Sequence, residues 1–337
     1  MDRHFGPLRE TILTRACIGA NMVLDKAVEH ILVKRGYRMA GNHSGVKLCH
    51  WLRESMLRGR PCYKQEFYGI KSHRCLQMTP TVDHCNQHCL FCWRHHNSSD
   101  MKPEEIDEPE KVLDKCILGQ RNLTTGFKGD PRVPREMWKE SQEPTQVAIS
   151  LAGEPTLYPR LGELIEVCHK RGMTTFLVTN GTMPKALERL DPLPTQLYVT
   201  VAAPNEEIYK KLCIPAFPNG WKLLNDTLEL LPSLKGRTRT TIRHTLVEGW
   251  NFDLKYVDDY ARLDEKADPQ FVEPKGFVLV GESRQHFHLD NMPKHADIVE
   301  FGKRLGDRLG LGIAAERSDS KVVVLARDKK DLRIPGL

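Results

Sequence analysis

Cys85, Cys89 and Cys92 stand in the spacing C-x3-C-x2-C, and three thiols so close along a chain form a metal-binding pattern. On a cubic cluster of four irons, three thiolates leave one iron without a protein ligand, which is what a chelating substrate or cofactor needs. A cluster ligated at every iron would only carry electrons. Zinc is the competing reading, but it wants four ligands, usually as C-x2-C pairs, so His84, His88, His95 or His96 would have to complete the set. A second triplet precedes the first: Cys49, Cys62 and Cys75 recur every thirteen residues, and Cys75 lies ten residues before Cys85. The same arithmetic allows a second cluster with an open iron, against the reading that these are three ordinary cysteines.

Other candidates need a fold to bring them near the cysteines. Gly153-Glu154-Pro155 follows a predicted strand, and a glycine there lets backbone carbonyls approach a ligand's ammonium group. Thr179 and Asn180 close the next strand and Thr200 lies on the one after, placing small polar side chains suited to ribose hydroxyls and a carboxylate. Asn180-Gly181 alone would ordinarily be only a turn. Period-two alternation puts Thr241, Arg243 and Thr245 on one strand face, and Glu273 and Lys275 on another. Charges inside a barrel must be paired, so Arg243, Glu273 and Lys275 read as pocket residues, with a structural ion pair lining the barrel or simply an outward face as the competing readings.

The elements that would position these residues alternate. Strands are expected at 76–82, 146–151, 174–178, 196–201, 238–246 and 270–280. Helices are expected between them at 103–118, 160–171, 184–190, 205–213, 221–231 and 253–263. Such an order implies an α/β fold, an open TIM-like barrel of about six parallel strands. The first triplet then sits after the first strand, where barrels place chemistry. Pro274 suits an edge strand of an open barrel. Helices at 22–35 and 46–56, then an irregular stretch, read as an N-terminal extension (1–75) ahead of the barrel (76–292). A helix at 293–309 and a hairpin at 311–327 complete the same domain (293–337).

The chain has 337 residues, 40% of them apolar, enough for a sizeable core. Ten cysteines, six of them between Cys49 and Cys92, are too few and too grouped for a disulfide scaffold. Neither a leader nor a membrane span is indicated at the N-terminus, so a cytoplasmic address is expected. A net charge of +6 with basic clusters fits a polyanionic partner or a solvated surface.

The C-x3-C-x2-C triplet after the first strand resembles that of the radical S-adenosylmethionine (SAM) superfamily. That likeness implies that Phe91 packs on the SAM adenine, though core packing is an equal reading, and that Gly153 and Glu154 mark the contact with the SAM methionine. The double triplet, Cys62-Tyr63-Lys64-Gln65, Gly153-Glu154-Pro155-Thr156, residues 245–251 and Lys275-Gly276 resemble the 4-demethylwyosine synthase family. The resemblance implies Cys85, Cys89 and Cys92 as ligands of a 4Fe–4S cluster that binds SAM, and Cys49, Cys62 and Cys75 as ligands of a second. It implies Lys64 as the residue meeting pyruvate, by Schiff base or by charge. Residues 200–204 depart from the Ser and Asp often found there.

Phenylalanine tRNA carrying N1-methylguanosine beside the anticodon is the implied macromolecular partner, with Arg94, His95, His96, Arg284, His286 and His288 as candidates for its phosphates. Eukaryotic members carry a flavodoxin domain ahead of the barrel; none fits before Cys49, so an external electron donor such as ferredoxin or flavodoxin is expected. The rival readings are a two-cluster radical SAM enzyme acting on a small molecule or peptide, a two-cluster electron carrier, and a zinc-bearing RNA-binding protein.

Overall fold

The computed structural model describes residues 26–94 and 106–337. Six strands run parallel and neighbour one another in sequence order: β3 (Cys75–Thr79), β4 (Gln146–Ile149), β5 (Thr174–Thr179), β6 (Gln196–Thr200), β7 (Arg239–Leu246) and β8 (Phe271–Gly276). An antiparallel hairpin extends each side, β1 (Tyr37–Met39) with β2 (Gly45–Lys47) against β3, and β10 (Val322–Ala326) with β9 (Gly312–Arg317) against β8. The ten-stranded sheet runs from β1 to β9 and does not close.

Each parallel crossover needs a covering helix, and amphipathic segments supply them: α4 (Pro109–Thr124), α6 (Leu161–Lys170), α7 (Pro184–Glu188), α8 (Glu206–Leu212), α9 (Gly220–Leu230) and α10 (Val257–Ala267). α11 (His295–Leu309) precedes the last hairpin, and α5 (Arg135–Ser141) lies between α4 and β4. Alternation along the strands sorts the core into two layers. Outward residues such as Val147, Leu177, Leu197, Val199, Ile242 and Val272 pack under the helices. Inward ones such as Phe176, Tyr198 and Phe271 pack against α3 (Tyr63–Tyr68), which fills the barrel interior.

Five expectations change. Gly45–Lys47 is a strand held between β1 and β3, so the helix expected over 46–56 is α2 (His50–Arg58) instead. The stretch expected to be irregular contains α3. β8 is not an edge, since β7 and β10 flank it. Pro274 is tolerated there because the ladder partners to β10, Val322 with Lys275 and Leu325 with Val272, lie on either side of it. The helix expected from 103 begins at Pro109, which suits a first helical position, and residues 103–105 fall outside the described residues. At the N-terminus α1 (Lys26–Lys34) is the described part of the helix expected at 22–35. The strand expected to reach 280 stops at Gly276, leaving the residues after it as a loop. Among the described residues no helix is long and apolar enough to cross a membrane.

On the outer face of β7, His244 meets the Val201 carbonyl through Nδ1 and Asp264 of α10 through Nε2, both at 2.9 Å and both fully buried. His244→Ala would leave the Asp264 carboxyl buried without that partner. We expect a loss of about 3 kcal/mol in urea denaturation; a change below about 1 kcal/mol would mean that the pair does little to hold α10 to the sheet.

Candidate active site

Cys85, Cys89 and Cys92 follow β3 on a loop tied down on two sides. On one side Glu154 N donates to the His84 carbonyl at 2.8 Å. On the other, Leu90 N and His88 N donate to the Leu212 and Ile214 carbonyls after α8, at 2.9 and 3.0 Å. Gln87 donates to the Tyr209 hydroxyl at 2.7 Å and accepts from the Cys89 thiol at 3.1 Å. Burial pushes the Cys85 and Cys92 thiols upward, Cys92 to about 11 with Cys89 adding to it, and Cys89 is raised by its hydrogen bond with the Cys213 thiol and then by burial. Ionising them requires a compensating cation, which a metal centre supplies.

These cysteines line a cavity of about 340 Å³ at the C-terminal ends of the strands, within the roughly 300–1,000 Å³ of small-molecule sites. Phe91, Gly153, Glu154, Thr179, Asn180, Thr200, Arg243 and Lys275 line it too. Gly153 has φ +67°, and a Cβ there would lie 1.8 Å from the Thr81 carbonyl oxygen and 2.4 Å from that of His84. Only glycine lets the β4 loop lie this close to the cysteine loop.

The polar side chains here are spent largely on one another. The Glu154 carboxylate accepts from Thr156 N at 3.1 Å, Thr156 Oγ1 at 2.6 Å, Thr179 Oγ1 at 2.7 Å and Asn180 N at 2.7 Å. Burial raises its pKa even so. Asn180 donates to Asn86 Oδ1 at 2.7 Å and accepts from Thr182. Glu154, Thr179 and Asn180 thereby fix the strand-end loops around the cavity. Phe91 both lines the cavity and packs on the core, and Thr200 sits at the end of β6.

Cys49, Cys62 and Cys75 each begin an element: Cys49 precedes α2, Cys62 precedes α3, and Cys75 opens β3. The fold brings them together, since Cys49 adds to the burial that pushes Cys62 up to about 12 and raises Cys75 further. Lys64, in the first turn of α3, points its ammonium between the rings of Phe176 and Tyr198, at 4.4 and 4.5 Å from their centroids. Burial, reinforced by the charge of Arg243, lowers its pKa to about 8. Lys275 is brought to about 8 by the same two causes. Among the described residues no three His, Cys, Asp or Glu side chains converge on a single metal ion. A cubic cluster spreads three thiolates over three irons, so that donor set does not require convergence.

On β8, facing the barrel interior, Glu273 has no exposure at all. Arg243 Nε and Nη2 donate to it at 3.1 and 2.7 Å, and Tyr63, Tyr68 and Tyr198 donate through their hydroxyls. Burial alone would raise this carboxyl; Arg243 and the Tyr68 hydroxyl outweigh it and hold the pKa below the ordinary value. Sequence reasoning placed Arg243 and Glu273 on inward faces but missed the three tyrosines. Tyr63, next to a cysteine ligand candidate, and Tyr198, in register with Thr241 opposite, were the available signals. Arg94 is buried, while Arg284, His286 and His288 are exposed; His95 and His96 lie outside the described residues.

An open parallel barrel with a cysteine triplet after its first strand, facing a cavity at the strand ends, defines a radical SAM enzyme, and the family model described as the Radical SAM superfamily matches residues 79–260. Such a chain takes a 4Fe–4S cluster and SAM. A second model, Wyosine base formation, matches residues 266–327. The S-adenosyl-L-methionine-dependent tRNA 4-demethylwyosine synthase of Pyrococcus abyssi is 47% identical over 326 residues, covering 95% of this chain and 94% of that one. The human protein of that name, TYW1, is 38% identical over 313 residues, 91% of this chain and 42% of its own. Two solved structures superpose well: one of TYW1 with a lysine–pyruvate adduct bound (TM-score 0.81, 36% identity, 93% of this chain and 99% of that one) and one of archaeal TYW1 (0.75, 35%, 91% and 99%). The chain belongs to the tRNA 4-demethylwyosine synthase family.

Gly153→Ala should weaken SAM binding at least about tenfold, because strain at such a position costs roughly 1–3 kcal/mol and the added methyl meets backbone. The measurement is the change SAM produces in the electron paramagnetic resonance spectrum of the reduced protein. An unchanged affinity would show that the loops separate freely.

Proposed function

We propose that this chain converts N1-methylguanosine beside the anticodon of phenylalanine tRNA to 4-demethylwyosine, with pyruvate as carbon donor. The reading assigns the SAM-binding cluster to Cys85, Cys89 and Cys92 and a second 4Fe–4S cluster to Cys49, Cys62 and Cys75. The observation that carries it is the amine of Lys64, held in an aromatic cleft beside the second triplet with its pKa near 8. A lysine beside a carbonyl substrate needs a fraction of free amine, and desolvation supplies it. The solved lysine–pyruvate adduct of a relative supports the same assignment.

When bound, the clusters and SAM supply a 5′-deoxyadenosyl radical that takes hydrogen from the N1-methyl group, and a Lewis acid for the pyruvate oxygens. The chain's own residues do the rest. Lys64 Nζ attacks the pyruvate ketone carbon and water leaves, so that the three-carbon unit is tethered as an imine. Arg243 and Lys275, which line the cavity, offer positive charge to its carboxylate. The tether holds the acceptor carbon near the methylene radical and replaces a collision by an intramolecular addition. Scission of the bond to the carboxyl carbon would then release it as carbon dioxide and return one electron to an iron–sulfur cluster, and the exocyclic amine of the guanine would displace the Lys64 amine from the re-formed imine to close the third ring; the broken carbon–carbon bond makes the reaction a carbon–carbon lyase step.

Anaerobic incubation of reconstituted protein with SAM, a strong reductant, pyruvate and N1-methylguanosine-containing tRNA should yield the tricyclic nucleoside by mass spectrometry. Deoxyadenosine without that nucleoside would leave a radical SAM enzyme of another substrate. In the same mixture Lys64→Arg should abolish the borohydride-trapped pyruvate adduct.

Iron and sulfide near eight each per chain, from two cubic clusters, are expected. Cys49→Ala should lower both to about four while the spectral response to SAM persists. Loss of both clusters together would contradict separate ligand sets.

A further inference from the structure

Two residues beyond the cysteine loop take no part in the scheme above. Arg94 is 5% exposed and lines the cavity, with its guanidinium packed on one face of the Trp93 ring, 2.8 Å from the ring centroid, and among the described residues its one hydrogen bond runs from Nη1 to the Tyr37 hydroxyl at 2.9 Å. Its Nε and Nη2 are buried without a hydrogen-bond acceptor. Buried guanidinium donors left unpaired are costly, so they mark a place where an oxyanion belongs. The neighbouring carboxylate, Glu282, is engaged elsewhere, paired with Arg35. Arg94 shares the cavity lining with Cys85, Cys89 and Cys92.

Trp93 is the complement of Arg94. Its indole is 39% exposed, lines the same cavity at its rim, and has the Lys47 ammonium 5.6 Å from its ring. Its backbone is clamped. Gly281, at φ +62°, brings the loop after β8 so close that a Cβ there would lie 2.2 Å from the Trp93 carbonyl oxygen. An aromatic ring that is rigidly held, half-exposed and flanked by cations is a platform for a nucleobase.

We infer that Trp93 and Arg94 form a nucleotide subsite beside Cys85, Cys89 and Cys92, in which the indole face turned away from Arg94 stacks on a base of the RNA and the free Arg94 donors take the phosphate of the same or the adjoining nucleotide. The inference rests on the RNA substrate proposed above, and it supplies what that reading lacks, a group that holds the target beside the radical source. Phosphate contacts orient a nucleic acid, and stacking captures a base turned out of its strand.

The test uses reconstituted protein and a fluorescent anticodon stem-loop carrying N1-methylguanosine, with binding followed by anisotropy at several salt concentrations. Trp93→Ala should weaken binding about tenfold or more, and Trp93→Phe should restore most of the loss, because a ring face suffices. Arg94→Met should weaken binding and lower the slope of log affinity against log salt by about one. Tyr37→Phe, which keeps the guanidinium, should leave that slope unchanged. In each variant the spectral change that SAM causes in the reduced protein should persist. If Arg94→Met or Trp93→Ala abolishes the SAM response and leaves RNA affinity intact, the oxyanion is the SAM carboxylate or the stacked base its adenine, and the inference is overturned. Wild-type protein that fails to bind the stem-loop would defeat the RNA reading itself, a result distinct from failure of the variants alone.

Discussion

A carboxylate with no exposure, in the middle of a barrel, must be surrounded by donors or it will not stay ionised. Glu273 has four donor residues, and they come from α3, β6 and β7, while Glu273 itself is on β8. The segment that carries Cys62 and Lys64 is thereby fixed to the barrel interior through Tyr63 and Tyr68. Without this attachment α3 would be a short helix of six residues with little stability of its own. The same carboxylate orients Arg243 toward the cavity, and Arg243 in turn donates to the Tyr63 hydroxyl at 2.7 Å. The second triplet, its lysine and the barrel wall are therefore positioned together.

That arrangement explains why the N-terminal stretch was hard to read as structure. The parallel strands carry their own evidence, since the period-two spacing of Thr241, Arg243 and Thr245 and of Glu273 and Lys275 is visible without neighbours. α3 has no such pattern: Tyr63, Phe67 and Tyr68 look like an ordinary aromatic run, and their burial depends on Phe176 and Phe271 from distant strands. β1 and β2 are three residues each, too short for periodicity to register, and they exist because β3 offers an edge. Pro274 misled for the complementary reason, because a single proline is compatible with a central strand when its missing donor falls where the ladder has no partner.

The cysteine spacings were legible because metal chemistry constrains residue type so strongly, but spacing is blind to environment. Equal intervals of thirteen residues turn out to be three element starts. Glu154, Thr179 and Asn180 were legible as residues of the strand ends, and the fold does put them at the cavity. Their chemistry differs from a simple ligand contact, since the donors around Glu154 come from the loops themselves. Which polar atoms remain free is a property of the assembled loops and has no signature in any one segment. Arg94 makes the same point in reverse: a basic residue beside two histidines reads as surface, and only the packed structure shows it buried with two donors unspent.

These satisfied loops also bear on how a site can manage a reactive radical. A cavity whose polar groups bond to one another needs no water to complete them, so its shape is already set before a ligand arrives. Ala202, Phe277, Val278 and Val280 supply an apolar wall opposite the cysteine loop. Rigid loops and an apolar wall together limit the side-chain atoms that can rotate into reach and the solvent that can enter. Glycine at 153 and at 281 is what allows both loops to close on the cysteine segment at backbone distance. Radical confinement in this fold is thus a matter of close backbone approach more than of any single catalytic side chain, and the two glycines, chemically inert, are as constrained by the reaction as the cysteines are.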